Sequence, residues 1–88
     1  MRFVVLLQVT SVAPLNDFRL RLAFSEGSVK EVDLATELYG EVFEPLKQPG
    51  FFRRVSVNPQ TSTIEWPNGA DFAPEFLYRT GHHVRRIA

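Results

Sequence analysis

The clearest pattern in the chain is an alternation of period two between Phe18 and Phe24. Phe18, Leu20, Leu22 and Phe24 fall on one set of positions, and Arg19, Arg21 and Ala23 on the other. Successive side chains of a strand point to opposite faces, so this spacing predicts a strand with one buried face. Ser25-Glu26-Gly27-Ser28 supplies a tight loop, and Val29 to Leu34 reads as the return strand of a β-hairpin. Upstream, residues 3–12 are apolar or β-branched on both alternating sets. That pattern predicts a strand that is central in its sheet or covered on two faces. Ala13-Pro14-Leu15-Asn16-Asp17 is turn chemistry between the two strands.

After Asp33 the period changes. Leu34, Leu38, Tyr39, Val42, Phe43 and Leu46 recur at helical spacing. They predict two short helices broken at Gly40, with Asp33 as N-cap. Gln48-Pro49 starts a further short helix that carries Phe51 and Phe52 inward. Residues 54–57 and 62–66 are the fourth and fifth strands, with Val57 and Ile64 facing each other in a second hairpin. Pro67 ends the fifth strand because it has no N–H for a ladder. Asn68-Gly69 turns the chain. Asp71 is placed to cap a helix with Pro74 in its first turn, Phe72, Phe76 and Leu77 inward, and Gly81 at its end. The predicted fold is α+β: a small antiparallel sheet of about five strands, with short helices between strands 3 and 4 and after strand 5.

Eighty-eight residues make one domain, 1–88, with a core over about 3–78 and a basic C-terminal tail over 79–88. The composition is 44% hydrophobic with eight Phe, enough for an efficient small core but leaving little to line a deep pocket. Net charge is zero, which gives no reason to expect nucleic acid or an anionic membrane as partner. The chain has no Cys, so disulfides and thiolate chemistry are excluded and a reducing cytoplasm is the natural compartment. The apolar run 3–7 is too short for a signal-peptide core, and no segment approaches the ~20 apolar residues of a transmembrane helix.

Charge is unevenly placed. Between Glu26 and Glu44 six acids face Lys30 alone, and Glu37, Glu41 and Glu44 make an acidic surface suited to a basic partner. Arg79, His82, His83, Arg85 and Arg86 make the tail basic. The bland reading of each is a solvated face or tail.

The anchors Leu20-Arg21-Leu22, Phe24, Gly27, Val32-Asp33-Leu34, Val42-Phe43-Glu44-Pro45-Leu46, Phe52, Ile64 to Asp71 and Pro74-Glu75 give the chain its likeness. It resembles a bacterial family of small proteins, the domain-of-unknown-function family numbered 2442, from about Val9 to Tyr78. The block Trp66, Pro67, Asn68, Gly69, Ala70, Asp71 is the most specific part. The resemblance implies a small α+β fold on an antiparallel sheet and no established activity. It also implies that similar proteins carry a helix-turn-helix beside this module, and that some sit in toxin–antitoxin-like gene pairs. With ten residues after Tyr78, no helix-turn-helix is expected there, and a direct DNA-reading role is not carried over.

Each chemical candidate has a structural counterpart. Glu65, Asp71 and Glu75 offer carboxylates for acid/base work or a divalent ion. As structure, Asp71 is a helix cap, Glu75 complements the helix dipole and Glu65 faces away from Ile64 and Trp66. Trp66 reads as buried, because it follows Ile64 at strand spacing, and Asn68-Gly69 as a turn rather than a ligand loop. Adjacent His82 and His83 do not face one metal from a regular element. No serine has a nucleophile-elbow context and no phosphate-binding Gly motif is present.

The expectation is therefore a non-catalytic, cytoplasmic protein-interaction or regulatory module with no catalytic, cofactor or metal site. Its concrete form is an antitoxin-like partner of a small neighbouring protein, or a homodimer through a free sheet edge. The alternatives are a nucleic-acid-associated protein using Arg19, Arg21 and the tail with Arg79, Arg85 and Arg86, and a small ligand-binding domain or enzyme around Glu65 and Asp71.

Overall fold

The computed structural model describes residues 6–84. Its main sheet is fully antiparallel and runs in the order β1 (Val9–Pro14), β2 (Arg19–Phe24), β3 (Val29–Asp33) and β6 (His82–His83). The alternation in β2 is realised as predicted. Leu20, Leu22 and Phe24 are buried, while Arg19 and Arg21 are exposed. Leu20 pairs with Val32 and Leu22 with Lys30, so the inner face continues across β3. Phe18 lies just before the strand and is half-buried, edge-on to Phe52 with ring centroids 5.3 Å apart.

The first strand differs from its expected place. It starts at Val9 and lies at the sheet's edge rather than its centre. Residues 3–5 of the predicted strand fall outside the described residues, and Leu6 is exposed. A bulge at Thr10 separates the pairs Val9–Phe24 and Ser11–Ala23. One extra residue reverses the parity of the strand. Val9, Val12 and Pro14 therefore all turn inward, while Ser11 and Ala13 lie exposed. Apolarity on both sets of positions was the signature of a bulge, not of two covered faces.

A second hairpin, β4 (Ser56–Asn58) and β5 (Thr63–Glu65), forms its own two-stranded sheet, and Val57 faces Ile64 as expected. The described residues thus form six strands in two sheets, where about five in one sheet were expected, and the α+β class holds. The two sheets meet where the Val9 N–H donates to the Ser62 carbonyl at 2.9 Å. Phe52, Trp66, Leu34, Leu38, Leu46 and Leu77 are all buried in one hydrophobic core with residues of both sheets.

The predicted helices at 34–46 are not formed. Ala35–Glu37 and Glu44–Lys47 are single 3-10 turns. Gly40, at φ 89°, and Pro45 interrupt the run, and helices this short have little intrinsic stability. Burial still selects Leu34, Leu38 and Leu46, but Tyr39 and Val42 point outward. Leu34, not Asp33, holds the N-cap position, and the Asp33 carboxylate accepts from the Ala35 N–H at 2.9 Å.

Two short helices follow the expected proline rule. In α1 (Pro49–Phe52) and α2 (Pro74–Thr80) the proline occupies the first helical position, where no N–H is needed. Gly81 ends α2 with its N–H on the Leu77 carbonyl. A Cβ at Gly81 would lie 3.1 Å from the Lys30 Cβ and 2.9 Å from the Leu77 oxygen. Glycine therefore lets α2 close onto β3. His82 and His83, just beyond it, join the sheet: Lys30 pairs with His83 and Glu31 with His82.

Candidate interaction surface

The Trp66 block is built from a tight turn. The Gly69 N–H donates to the Trp66 carbonyl, and the Trp66 N–H to the Ala70 carbonyl, both at 2.9 Å. Pro67 and Asn68 are the central residues, Pro supplying the fixed φ of the first. Gly69 takes the left-handed conformation at φ 89°, which suits glycine, and Asn68 does not. The turn returns the chain so that Glu65 and Asp71 lie opposite each other. Trp66 is buried, and its indole N–H donates to the Phe52 carbonyl at 2.8 Å.

Asn68 connects this turn to the acidic segment. Its carbonyl oxygen accepts from the Ala70 N–H at 3.2 Å, and its amide donates to the Val42 carbonyl at 2.8 Å. On the other side of the segment, the N–H groups of Phe43 and Glu44 both donate to the Gly40 carbonyl. Residues 40–44 are therefore closed into a turn that Asn68 tethers at Val42. The loop presents Tyr39, 70% exposed, and Val42, 43% exposed, among Glu37, Glu41 and Glu44. Glu44 forms an exposed ion pair with Lys47 at 3.1 Å, and Glu41 has no ion pair among the described residues. An aromatic and an aliphatic side chain inside a negative rim form a surface complementary to an apolar residue flanked by cations.

The other sequence candidates fall elsewhere. Asp71 does not cap α2: the N-cap position is Ala73, which makes no side-chain cap. Two extended residues between Asp71 and the helix carry the carboxylate out of reach. Glu65 accepts a hydrogen bond from the Asn58 amide, and Glu75 stands in the first turn of α2. Among the described residues no group of three His, Asp or Glu side chains is arranged to hold a metal ion. Arg21 forks onto Glu31 with bonds of 3.1 and 2.7 Å to one carboxylate oxygen, and Arg19 approaches the same carboxylate at 4.0 Å. The two arginines of the outer sheet face thus share one acid, which offsets one of their two positive charges. Arg79 is exposed on α2, and Arg85 and Arg86 lie outside the described residues.

The edges of the main sheet are unequal. On β1 the Thr10 bulge, the bond from Val9 to Ser62 and Pro14 all blunt the edge. The opposite edge is the two-residue β6, with both histidines exposed.

Lys30 entered the sequence reading only as the one cation of the stretch 26–44. It is buried in the hairpin's inner face. Its ammonium donates to the Tyr78 carbonyl at 2.7 Å and lies 3.6 Å from the centre of the Tyr78 ring. The clue available in sequence was its place in β3, directly in phase with Val32. Nearby, the Glu26 carboxylate is held below its ordinary range. The Ser28 hydroxyl and then the Ser28 N–H donate to it, and the Tyr78 hydroxyl and His83 add smaller effects in the same direction.

The family model described as "Protein of unknown function (DUF2442)" matches residues 9–83. The chain belongs to this family. The DUF2442 match takes in both hairpins, the acidic loop and the Trp66 turn. Among solved structures the chain is similar to the crystal structure of "Putative DNA Binding Protein NE0471" from Nitrosomonas europaea ATCC 19718. Identity is 28% and the TM-score 0.76, with 91% of this chain and 52% of that one covered. The chain spans about half the length of that protein. No curated protein matches it. Among the described residues no helix is long and apolar enough to cross a membrane.

Proposed function

We propose that this DUF2442 chain is a non-catalytic protein-interaction or regulatory module of the bacterial cytoplasm, docking a basic partner on the loop Glu37–Glu44. The observation that carries the reading is the pair Tyr39 and Val42, exposed among acids on a loop fixed by Asn68 and Gly40. A pre-ordered loop loses little entropy on binding, and a large aromatic is the kind of anchor on which binding energy concentrates. An antitoxin-like role toward a small neighbouring gene product is the concrete form.

Co-expression with the adjacent gene product, followed by titration of the purified pair, tests this. Tyr39→Ala with Glu41→Lys should weaken binding by roughly tenfold or more, and salt should weaken the wild-type complex. Retention of the partner at unchanged affinity by the double variant removes the acidic loop from the reading.

The similarity to the "Putative DNA Binding Protein NE0471" supports a second reading, association with nucleic acid. The Arg19–Arg21–Glu31 cluster favours it less, because the carboxylate already neutralises part of that face. A labelled duplex whose binding falls steeply with salt would support it. A homodimer is the third assembly, and light scattering at micromolar concentration distinguishes it.

A further inference from the structure

We propose that the cleft between the β1–β2 turn and α1 is a separate binding site, for the C-terminus of a peptide ending in an apolar residue. The cleft is half-open to solvent and has a volume of about 410 Å³. Its apolar lining is Leu15, Pro49 and the half-buried Phe18, whose ring packs edge to face on the buried Phe52. Its polar lining residues are Asn16, Asp17 and Arg53, all exposed. Arg53 and Asp17 line one cleft yet form no ion pair with each other or with any other described residue. Opposite charges kept apart beside an apolar lining suit a ligand that brings its own acceptor, donor and hydrocarbon.

The backbone explains how this arrangement is held. The Arg19 N–H donates to the Asn16 carbonyl at 3.3 Å across a turn whose central residues, Asp17 and Phe18, have φ of 59° and 62°. An aromatic residue is a costly occupant of that conformation. The turn places the Phe18 ring against Phe52 and leaves the Asp17 carboxylate in solvent.

A peptide C-terminus supplies the complementary groups. Its carboxylate matches the planar guanidinium of Arg53. Its last side chain, if apolar, covers Leu15, Phe18 and Pro49. Asn16 has both a donor and an acceptor for a peptide unit, and Asp17 accepts an amide N–H. The site is independent of the acidic loop, so the two can succeed or fail separately.

The test is titration of ¹⁵N-labelled full chain with acetyl-Gly-Leu-Phe and with the same peptide as its C-terminal amide. The expected result is saturable movement of the backbone signals of Asn16, Asp17, Phe18 and Arg53 by the free acid, with Tyr39 and Glu41 unmoved. The amide should bind roughly tenfold or more weakly, and Arg53→Gln should abolish the preference for the acid. Arg53 is exposed, and an otherwise unchanged spectrum confirms that the variant is folded. Unmoved cleft signals, or equal affinity for acid and amide, overturn the proposal.

Discussion

The side-chain amide of Asn68 donates a 2.8 Å hydrogen bond to the backbone carbonyl of Val42, 26 residues earlier in the chain. The same side chain accepts from the Ala70 N–H within its own turn. One residue thereby fixes both the turn after β5 and the loop that exposes Tyr39 and Val42. The family block is thus mechanically connected to the acidic surface.

Asn68→Asp separates the two functions of that side chain. The carboxylate still accepts from Ala70 but has nothing to donate to Val42. The variant should lose about 0.5–1.5 kcal/mol. Amide exchange should quicken in residues 41–44 while the β2–β3 hairpin is unaffected, as read by hydrogen exchange with urea titration.

Trp66→Phe keeps an aromatic ring beside Phe52 but removes the indole N–H. The Phe52 carbonyl is left without that donor in a buried place. An unsatisfied buried acceptor costs about 1–3 kcal/mol, before any cavity is counted. Denaturation followed by far-UV circular dichroism measures the loss without relying on the tryptophan itself.

Lys30→Met preserves the side chain's length and apolar stem. It removes the ammonium that holds the Tyr78 carbonyl and stands over the Tyr78 ring. The cost should be about 1.5–3 kcal/mol, because bonds to charged groups exceed neutral ones. Faster exchange of the last-turn amides of α2 would assign the loss to helix docking.

Glu26 gives a pH prediction with a definite sign. Its folded pKa is lowered, first by the Ser28 hydroxyl and then by the Ser28 N–H. The fold therefore favours the charged form. That contribution is present above the ordinary carboxylate pKa and is lost as pH falls through the depressed value. Ser28→Ala should move the Glu26 pKa upward, as followed by NMR titration of its side-chain carbonyl. A titration midpoint unchanged by Ser28→Ala would refute the assigned cause.

The outline of the fold was legible where local pattern and tertiary environment agree. The strict alternation over Phe18 to Phe24 set the β2 core face, and Val57 and Ile64 paired across the second hairpin. Pro49 and Pro74 marked helix starts, and Gly81 a helix end, because proline and glycine act on their own backbone. The buried Trp66 followed from its spacing to Ile64. For the candidate surface, the sequence supplied Glu37, Glu41, Glu44 and the Trp66 block, but as separate features.

Tertiary structure decided what joins them and which way side chains turn. Helical spacing across 34–46 marked the break at Gly40 but not that each side forms only a single 3-10 turn, which leaves Tyr39 and Val42 outside. The Thr10 bulge reverses a parity that periodicity assumes constant. Asp71 had the chemistry of a cap, but the extended path to Ala73 removes it from the helix end. Lys30 looked solvated by type, yet α2 brings a carbonyl and an aromatic face over it. Sequence by itself determined the propensities carried by individual backbones and short alternations. Only the folded chain decided the contacts between segments far apart, since burial and hydrogen bonding belong to pairs of residues that local spacing does not relate.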